Sequence, residues 1–396
     1  MPFSSNPPPG YRGTVMALAL GQVLAWAALY YSFSAFVLPM QRSMGWSVAD
    51  MMGAYSLGLA VWGLCAYPVG AAIDRGAGRW VMVGGAWLAA LGLLAWSQVQ
   101  ALWMLYAAWA VLGGAMACIL YEPAFTVLTR RYATHYRQGI TALTLVAGFA
   151  STLAFPSVAF LQSALGWRGA LLVLAGVLAG GVAWLNAWAL RGDALQASPR
   201  RLEEAQAATL HQAARSSAFW LLALTFTCYS FAQSAFWAHV MPAFASKGFT
   251  PEQALQVLVW VGPCQVGGRV VYVVLGRHWP LRRVGLVVLC GLPLSFALFA
   301  HSQGTLALWG FAALFGSANG LVTIVRGGLI PEYFGRANVG RIGGAISTAG
   351  LLARAAAPIS MATLLLVWPS YVLMMNFLAL LGGVAVLAFS LARHPR

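Results

Sequence analysis

The sequence predicts an all-α membrane protein of twelve transmembrane helices, arranged as two pseudo-symmetric six-helix bundles. Three observations carry this. Of 396 residues, 61% are hydrophobic and only 8% charged, whereas a soluble domain is about a quarter charged. Apolar stretches of about 20 residues, each long enough to cross a hydrocarbon core, recur along the whole chain. The punctuation between them repeats at an offset of about 203 residues, which splits the spans six and six.

The apolar spans run 14–40, 48–72, 80–98, 101–128, 139–164, 169–191, 217–244, 251–275, 284–302, 304–328, 340–366 and 368–391. The first follows a polar, Pro-rich start and is too long for the h-region of a signal peptide, so it is expected to stay as a membrane helix. Met44-Gly45-Trp46-Ser47 ends it, and Lys247-Gly248-Phe249-Thr250 ends the seventh in the same way. In each case the Ser or Thr is placed to cap the next helix. Pro39 pairs with Pro242 and Pro156 with Pro358 at the same offset. The longest polar segment separates the sixth and seventh spans. The expected organisation is an N-terminal bundle over 1–191, a cytoplasmic linker over 192–216 and a C-terminal bundle over 217–396. Parallel repeats of this kind are expected to bind solute between the halves, near mid-membrane.

The net charge of +15 is a matter of topology. All basic side chains but Lys247 are arginine. With the N-terminus inside, Arg42, Arg168 and Lys247 alone fall outside, while Arg269, Arg326 and Arg354 lie within spans. That asymmetry follows the positive-inside rule, so both termini are expected in the cytoplasm of a cell whose inner membrane holds the protein. The basic balance therefore points to the lipid bilayer and not to nucleic acid. The five cysteines stand singly in apolar spans and read as small packing residues.

Gly70-Ala71-Ala72-Ile73-Asp74-Arg75-Gly76-Ala77-Gly78-Arg79 resembles the loop signature of the major facilitator superfamily, G-x-x-x-D-R-x-G-x-R, with Ala77 where the second glycine stands. The resemblance extends over the twelve spans, the repeat and the long central loop. It implies two bundles around a cavity, alternating access, and a conformational latch made by Asp74, Arg75 and Arg79. It also implies that the first, fourth, seventh and tenth helices line the cavity.

Charges inside a membrane are costly, about 2.5–3.5 kcal/mol for an Arg at mid-span on insertion scales, and they mark functional positions. Arg269 stands in GPCQVGGR of the eighth span and Arg354 in GLLARAAAP of the eleventh, with no acid on either. A guanidinium fork suits a carboxylate, so a substrate anion is one source of counter-charge. Backbone carbonyls are the other. The pattern is similar to the monocarboxylate and oxalate/formate branches of the superfamily, in which cations on these helices bind carboxylates. Gln265 stands where the monocarboxylate branch has an acid.

Glu122 in LYEPAF and Arg326 in TIVRGG are near-equivalents in the two halves and are expected to form a coupling or gating pair, with Glu122 able to carry a proton. His239 is a second relay candidate. Tyr30, Gln233 and Asn319 are expected to shape the binding site, uncharged polar groups in lipid needing partners. The sequence holds no Walker loop, HExxH or GxSxG, so no enzyme, cofactor or metal site is expected. The expected function is secondary active transport of a small organic anion, a carboxylate, coupled to a proton or a counter-solute. Proton-driven export of amphipathic drugs or metabolites stays open as the alternative.

Overall fold

A computed structural model of the chain describes residues 8–132, 134–192, 208–276, 278–302 and 304–394. Residues 193–207, most of the expected linker, lie outside the described residues. So does Arg277. Every regular element among the described residues is helical.

Ten helical stretches are long and apolar enough to cross a membrane. Two of them, Asp50–Ser97 and Pro156–Ala189, are too long for one crossing. Each contains a turn, at Gly76 (φ 98°) and at Gly166 (φ 68°), so twelve segments result. We number them α1 (11–44), α2 (Val48–Ala72), α3 (Gly78–Ser97), α4 (Leu102–Arg131), α5 (136–165), α6 (167–189), α7 (Ser217–Ala245), α8 (251–276), α9 (Leu281–His301), α10 (Thr305–Phe334), α11 (Val339–Val367) and α12 (Tyr371–Leu391). A short helix, Leu210–Arg215, precedes α7 and begins with a capping box from Thr209 and Gln212.

The segments fall into two compact units. Unit 1 comprises Met1–Val61, Pro68–Ala207 and Gly335–Arg341, and unit 2 comprises Trp62–Tyr67, Ala208–Phe334 and Ile342–Arg396.

The caps expected from the repeat are present. Ser47 accepts the Asp50 N–H at 3.1 Å and Thr250 the Gln253 N–H at 3.4 Å. Gly45 and Gly248, just before them, take φ of 70° and 83°, the left-handed conformation in which a helix ends without a Cβ penalty. The aromatic cores correspond too. Phe33 lies 6.0 Å from Trp96 in unit 1, and Phe236 lies 6.0 Å from Phe299 in unit 2, centroid to centroid. These pairs stand at the repeat offset.

One pair of helix ends is closed differently in the two units. Arg168 donates to the carbonyls of Ser97 and Val99 at the end of α3, the latter at 2.7 Å, with its guanidinium 4.3 Å over the Trp167 ring. At the end of α9, Lys247 donates to Ala300 O at 3.1 Å and Ser302 O at 2.7 Å. The carbonyls match at the repeat offset, but the cations do not. Met44 holds the position of Lys247 in unit 1, its sulfur 3.5 Å from Arg168 Nη2.

The fourth span was expected as one helix, yet α4 is broken. Leu120 has φ −79° and ψ −156°, and a new helix, Tyr121–Arg131, starts after it. Pro123 explains this, because a proline has no N–H for the carbonyl four residues earlier and its ring pushes that carbonyl aside. The carbonyl is that of Ile119, and Gln22 of α1 takes it up, Nε2 to O at 2.6 Å. Gln22 is buried, and its own oxygen accepts Trp26 Nε1 at 3.2 Å. The polar groups opened by the break are thereby satisfied inside an apolar unit.

Candidate functional site

The polar residues of unit 2 assemble where α7, α8, α10 and α11 approach one another. Glycines set the spacing of α8 and α10. A Cβ on Gly268 would lie 3.0 Å from Ser317 Cα, and one on Gly320 would collide with Gln265 O. At this separation Arg269 is only 3% exposed, and its Nε donates to Gly320 O at 3.0 Å. Gly268, beside Arg269, lets α10 come close.

Arg354 is held by α7 through two consecutive residues. Its Nη2 donates to Gln233 Oε1 at 2.9 Å, and its carbonyl accepts Ser234 Oγ at 2.8 Å. Pro358 is again the cause of the second bond, since the carbonyl it leaves without a helical donor is that of Arg354. His239 meets the Pro358 carbonyl at 3.1 Å through Nε2, the nitrogen that must carry a proton there. Gly350, one turn before Arg354, sits against α7, where an added Cβ would be 3.2 Å from Ser230 Oγ.

The network continues to α10. Gln233 Nε2 donates to Asn319 Oδ1 at 2.5 Å, and Tyr229 O–H reaches the same oxygen at 3.4 Å. The amide orientations follow from chemistry: a guanidinium only donates, so Gln233 must turn its oxygen to Arg354 and its nitrogen to Asn319. Four expected site residues, Arg269, Arg354, Gln233 and Asn319, therefore join through the Asn319–Gly320 peptide. Among the described residues no carboxylate stands within ion-pair distance of Arg354, and the Gln233 oxygen is the one acceptor on its guanidinium.

The remaining candidates are distributed otherwise. Arg326 donates to the buried Ser347 Oγ of α11 and lies 5.9 Å from the Phe226 ring. In unit 1, Glu122 occupies the first turn of the second α4 segment, immediately after the break. Tyr30 belongs to an aromatic group, 5.1 Å from Trp26, 5.3 Å from Tyr31 and 6.2 Å from Tyr55. It lies on a π-helical turn, Ala27–Tyr31, a geometry common at functional sites.

Asp74 is buried and accepts the backbone N–H groups of Gly340 at 3.0 Å and Arg341 at 2.8 Å. Its ion-pair partner is Arg130, at 3.3 Å, which also donates to Ala337 O. Gly70 and Gly340 touch closely enough that a Cβ on either would run into the other's carbonyl. Arg75 and Arg79, expected beside Asp74 in the latch, are exposed. Arg130 is not among the residues expected in the latch, and Gln22, Ser234, Tyr229 and Ser347 are not among the expected site residues. For Gln22 and Ser234 a signal existed, namely a proline four residues beyond the carbonyl each one serves.

A family model described as Major Facilitator Superfamily matches residues 18–358. The chain belongs to the major facilitator superfamily. It is a multi-pass membrane transporter and not an enzyme. Among curated relatives it is 27% identical over 347 residues to monocarboxylate transporter 13 of Rattus norvegicus, covering 86% of this chain and 79% of that protein. It is 35% identical over 206 residues to monocarboxylate transporter 11 of Mus musculus, covering 50% of this chain and 45% of that protein. The chain thus spans about half the length of the mouse relative. Among solved structures, the human organic anion transporter MFSD10 superposes with TM-score 0.74 at 17% identity, over 98% of this chain and 100% of that one. The Escherichia coli fucose:proton symporter FucP does so with TM-score 0.77 at 13% identity and the same coverage. These two superpositions establish the major facilitator fold. They also match the expectation of two six-helix bundles.

Proposed function

We propose that this transporter moves a small organic anion, a carboxylate, by secondary active transport with alternating access. One observation carries the reading: Arg354 is a membrane-embedded guanidinium whose acceptor is a neutral amide. An uncompensated cation at this depth is costly, and an anionic substrate would supply the counter-charge bidentately. The curated relatives named as monocarboxylate transporters support the same class of solute.

In this reading Arg354 is the principal anion ligand. Arg269, with its Nε engaged by Gly320 O, contributes positive potential and holds α8 to α10. Asn319 and Tyr30 complete the binding residues, and Gln233 holds the Arg354 guanidinium in the empty site. Glu122 carries the coupled proton, Arg326 and His239 serve gating, and Asp74 works as a conformational latch. The site is read in an inner membrane with both termini cytoplasmic.

Proteoliposome uptake of labelled mono- and dicarboxylates, with and without an imposed pH gradient, tests this. Saturable uptake lost in Arg354→Gln and weakened in Arg269→Gln is the expected result. Dependence on the gradient would assign proton coupling. The aromatic group around Tyr30 favours a second reading, export of amphipathic drugs or metabolites. If no carboxylate moves while a cationic dye is extruded equally by wild type and both variants, that second reading replaces the first.

A further inference from the structure

From the geometry around Arg354 we infer that Gln233 is a placeholder for the substrate: its amide oxygen occupies Arg354 when no anion is bound, and a carboxylate displaces it. The inference rests on the anion reading above and deepens it.

Three features of the network carry it. Gln233 seats its oxygen on Nη2 of Arg354 at 2.9 Å. Nη2 is the nitrogen shared by both edges of a guanidinium that can hold a carboxylate by two parallel bonds, so the amide stands against the edge a carboxylate would take. The acceptor is neutral, whereas a carboxylate brings the opposite charge and can take the guanidinium fork by two parallel bonds in place of one. An arriving anion therefore wins the exchange. Finally, the displaced amide has somewhere to go: Gln233 Nε2 is anchored on Asn319 at 2.5 Å, and Gln233 is only partly buried, so its oxygen can swing away.

The placeholder serves two purposes. It keeps the Arg354 guanidinium hydrogen-bonded in the empty transporter, where an orphaned charged donor in an apolar bundle would be destabilising. It also links occupancy to helix position. Gln233 bridges Arg354 of α11 to Asn319 of α10, and α7 itself carries the bridge. When an anion takes Arg354, that three-helix link opens at one joint, while Ser234 Oγ still holds the Arg354 main chain at 2.8 Å. Substrate binding thereby uncouples the Arg354 side chain of α11 from α10, which stays tied to α7 through Gln233, with the backbone of α11 still held to α7.

This assigns Gln233 a sign opposite to that of a ligand. A residue that binds substrate weakens affinity when removed, whereas a placeholder that competes with substrate strengthens it. The decisive variants are Gln233→Met, which keeps the length and loses the oxygen, and Gln233→Glu, which fixes a carboxylate beside Arg354. Uptake of labelled lactate and oxalate is measured in proteoliposomes, and ligand-induced shifts in thermal unfolding are measured in detergent for the same proteins. The expected result is a KM lower by roughly three- to tenfold in Gln233→Met, as the competing bond is lost. In Gln233→Glu, uptake is expected to fall more than tenfold, with no ligand-induced thermal shift.

A higher KM in Gln233→Met would overturn the inference and make Gln233 an ordinary ligand, leaving the anion reading standing. Transport by Gln233→Glu at the wild-type rate would overturn it as well. If wild type moves neither probe, nor any other carboxylate, the anion reading fails and the placeholder falls with it. Should Gln233→Met misfold, Gln233→Leu offers the same test, since it too removes the acceptor.

Discussion

Arg168 and Lys247 close corresponding helix ends from non-corresponding positions in the chain. Each places a cation on the last carbonyls of a helix, where the helix dipole favours positive charge. Arg168 reaches Ser97 and Val99 from the α5–α6 turn, and Lys247 reaches Ala300 and Ser302 from the α7–α8 turn. Arg168 and Lys247, two of the three basic residues expected on the outer side, are thus helix staples. Arg168→Met should lower stability by about 1.5–3 kcal/mol, the range for lost charged hydrogen bonds. Adding Met44→Lys, which installs a cation in the register of Lys247, should recover at least half. Thermal unfolding in detergent checks both; a double variant no more stable than Arg168→Met would refute the equivalence.

Gln22 and Pro123 are predicted to be energetically coupled. With Gln22→Leu the Ile119 carbonyl loses its donor in an apolar interior, which should cost about 1–3 kcal/mol. Pro123→Ala allows the helix to restore its own bond to Ile119. In that background Gln22→Leu should be much less harmful. A double-mutant cycle measures the coupling, expected within about 0.5–3 kcal/mol; strict additivity would show that the break has another cause.

Ser234 and Pro358 should behave alike. Ser234→Ala removes the donor to the Arg354 carbonyl and is expected to reduce stability by about 1 kcal/mol. Because Arg354 is then less firmly placed, KM for a carboxylate should rise. Pro358→Ala in the same chain should restore stability. Unchanged KM in Ser234→Ala would mean that the main-chain bond does not place the guanidinium for substrate.

Asp74→Asn retains one acceptor oxygen, whereas Asp74 serves Gly340 N–H, Arg341 N–H and Arg130. Turnover should fall with KM unchanged, as expected for a group that holds helix ends and does not touch substrate. Arg75→Gln and Arg79→Gln, at exposed positions, should have far smaller effects. Initial-rate kinetics separate these outcomes, and an altered KM in Asp74→Asn would count against a latch.

The fold was legible because a bilayer leaves few options. Backbone polar groups in hydrocarbon must be satisfied internally, so length and hydropathy alone define the spans, and repeated punctuation such as Gly45-Trp46-Ser47 and Gly248-Phe249-Thr250 exposes the duplication. The intramembrane polar residues were legible as a set for the same reason. Arg269, Arg354, Gln233 and Asn319 stand out because lipid tolerates none of them without cause.

What those residues contact was decided by tertiary structure. Arg269 and Arg354 look alike in sequence, each set among small residues. Yet Gly268 and Gly320 bring α10 against α8, so the Arg269 Nε is taken by a main-chain oxygen, while the Arg354 guanidinium faces an amide. The choice of Arg130 as partner of Asp74, and not the adjacent Arg75 or Arg79, is likewise a matter of which helix ends meet. The sequence by itself determined twelve helices, their repeat and the short inventory of polar groups, since these follow from local hydrophobicity and spacing. Only the packed structure decided which carbonyl, amide or charge each group would find, because hydrogen bonds are set by distances of a few ångströms between helices far apart in the chain.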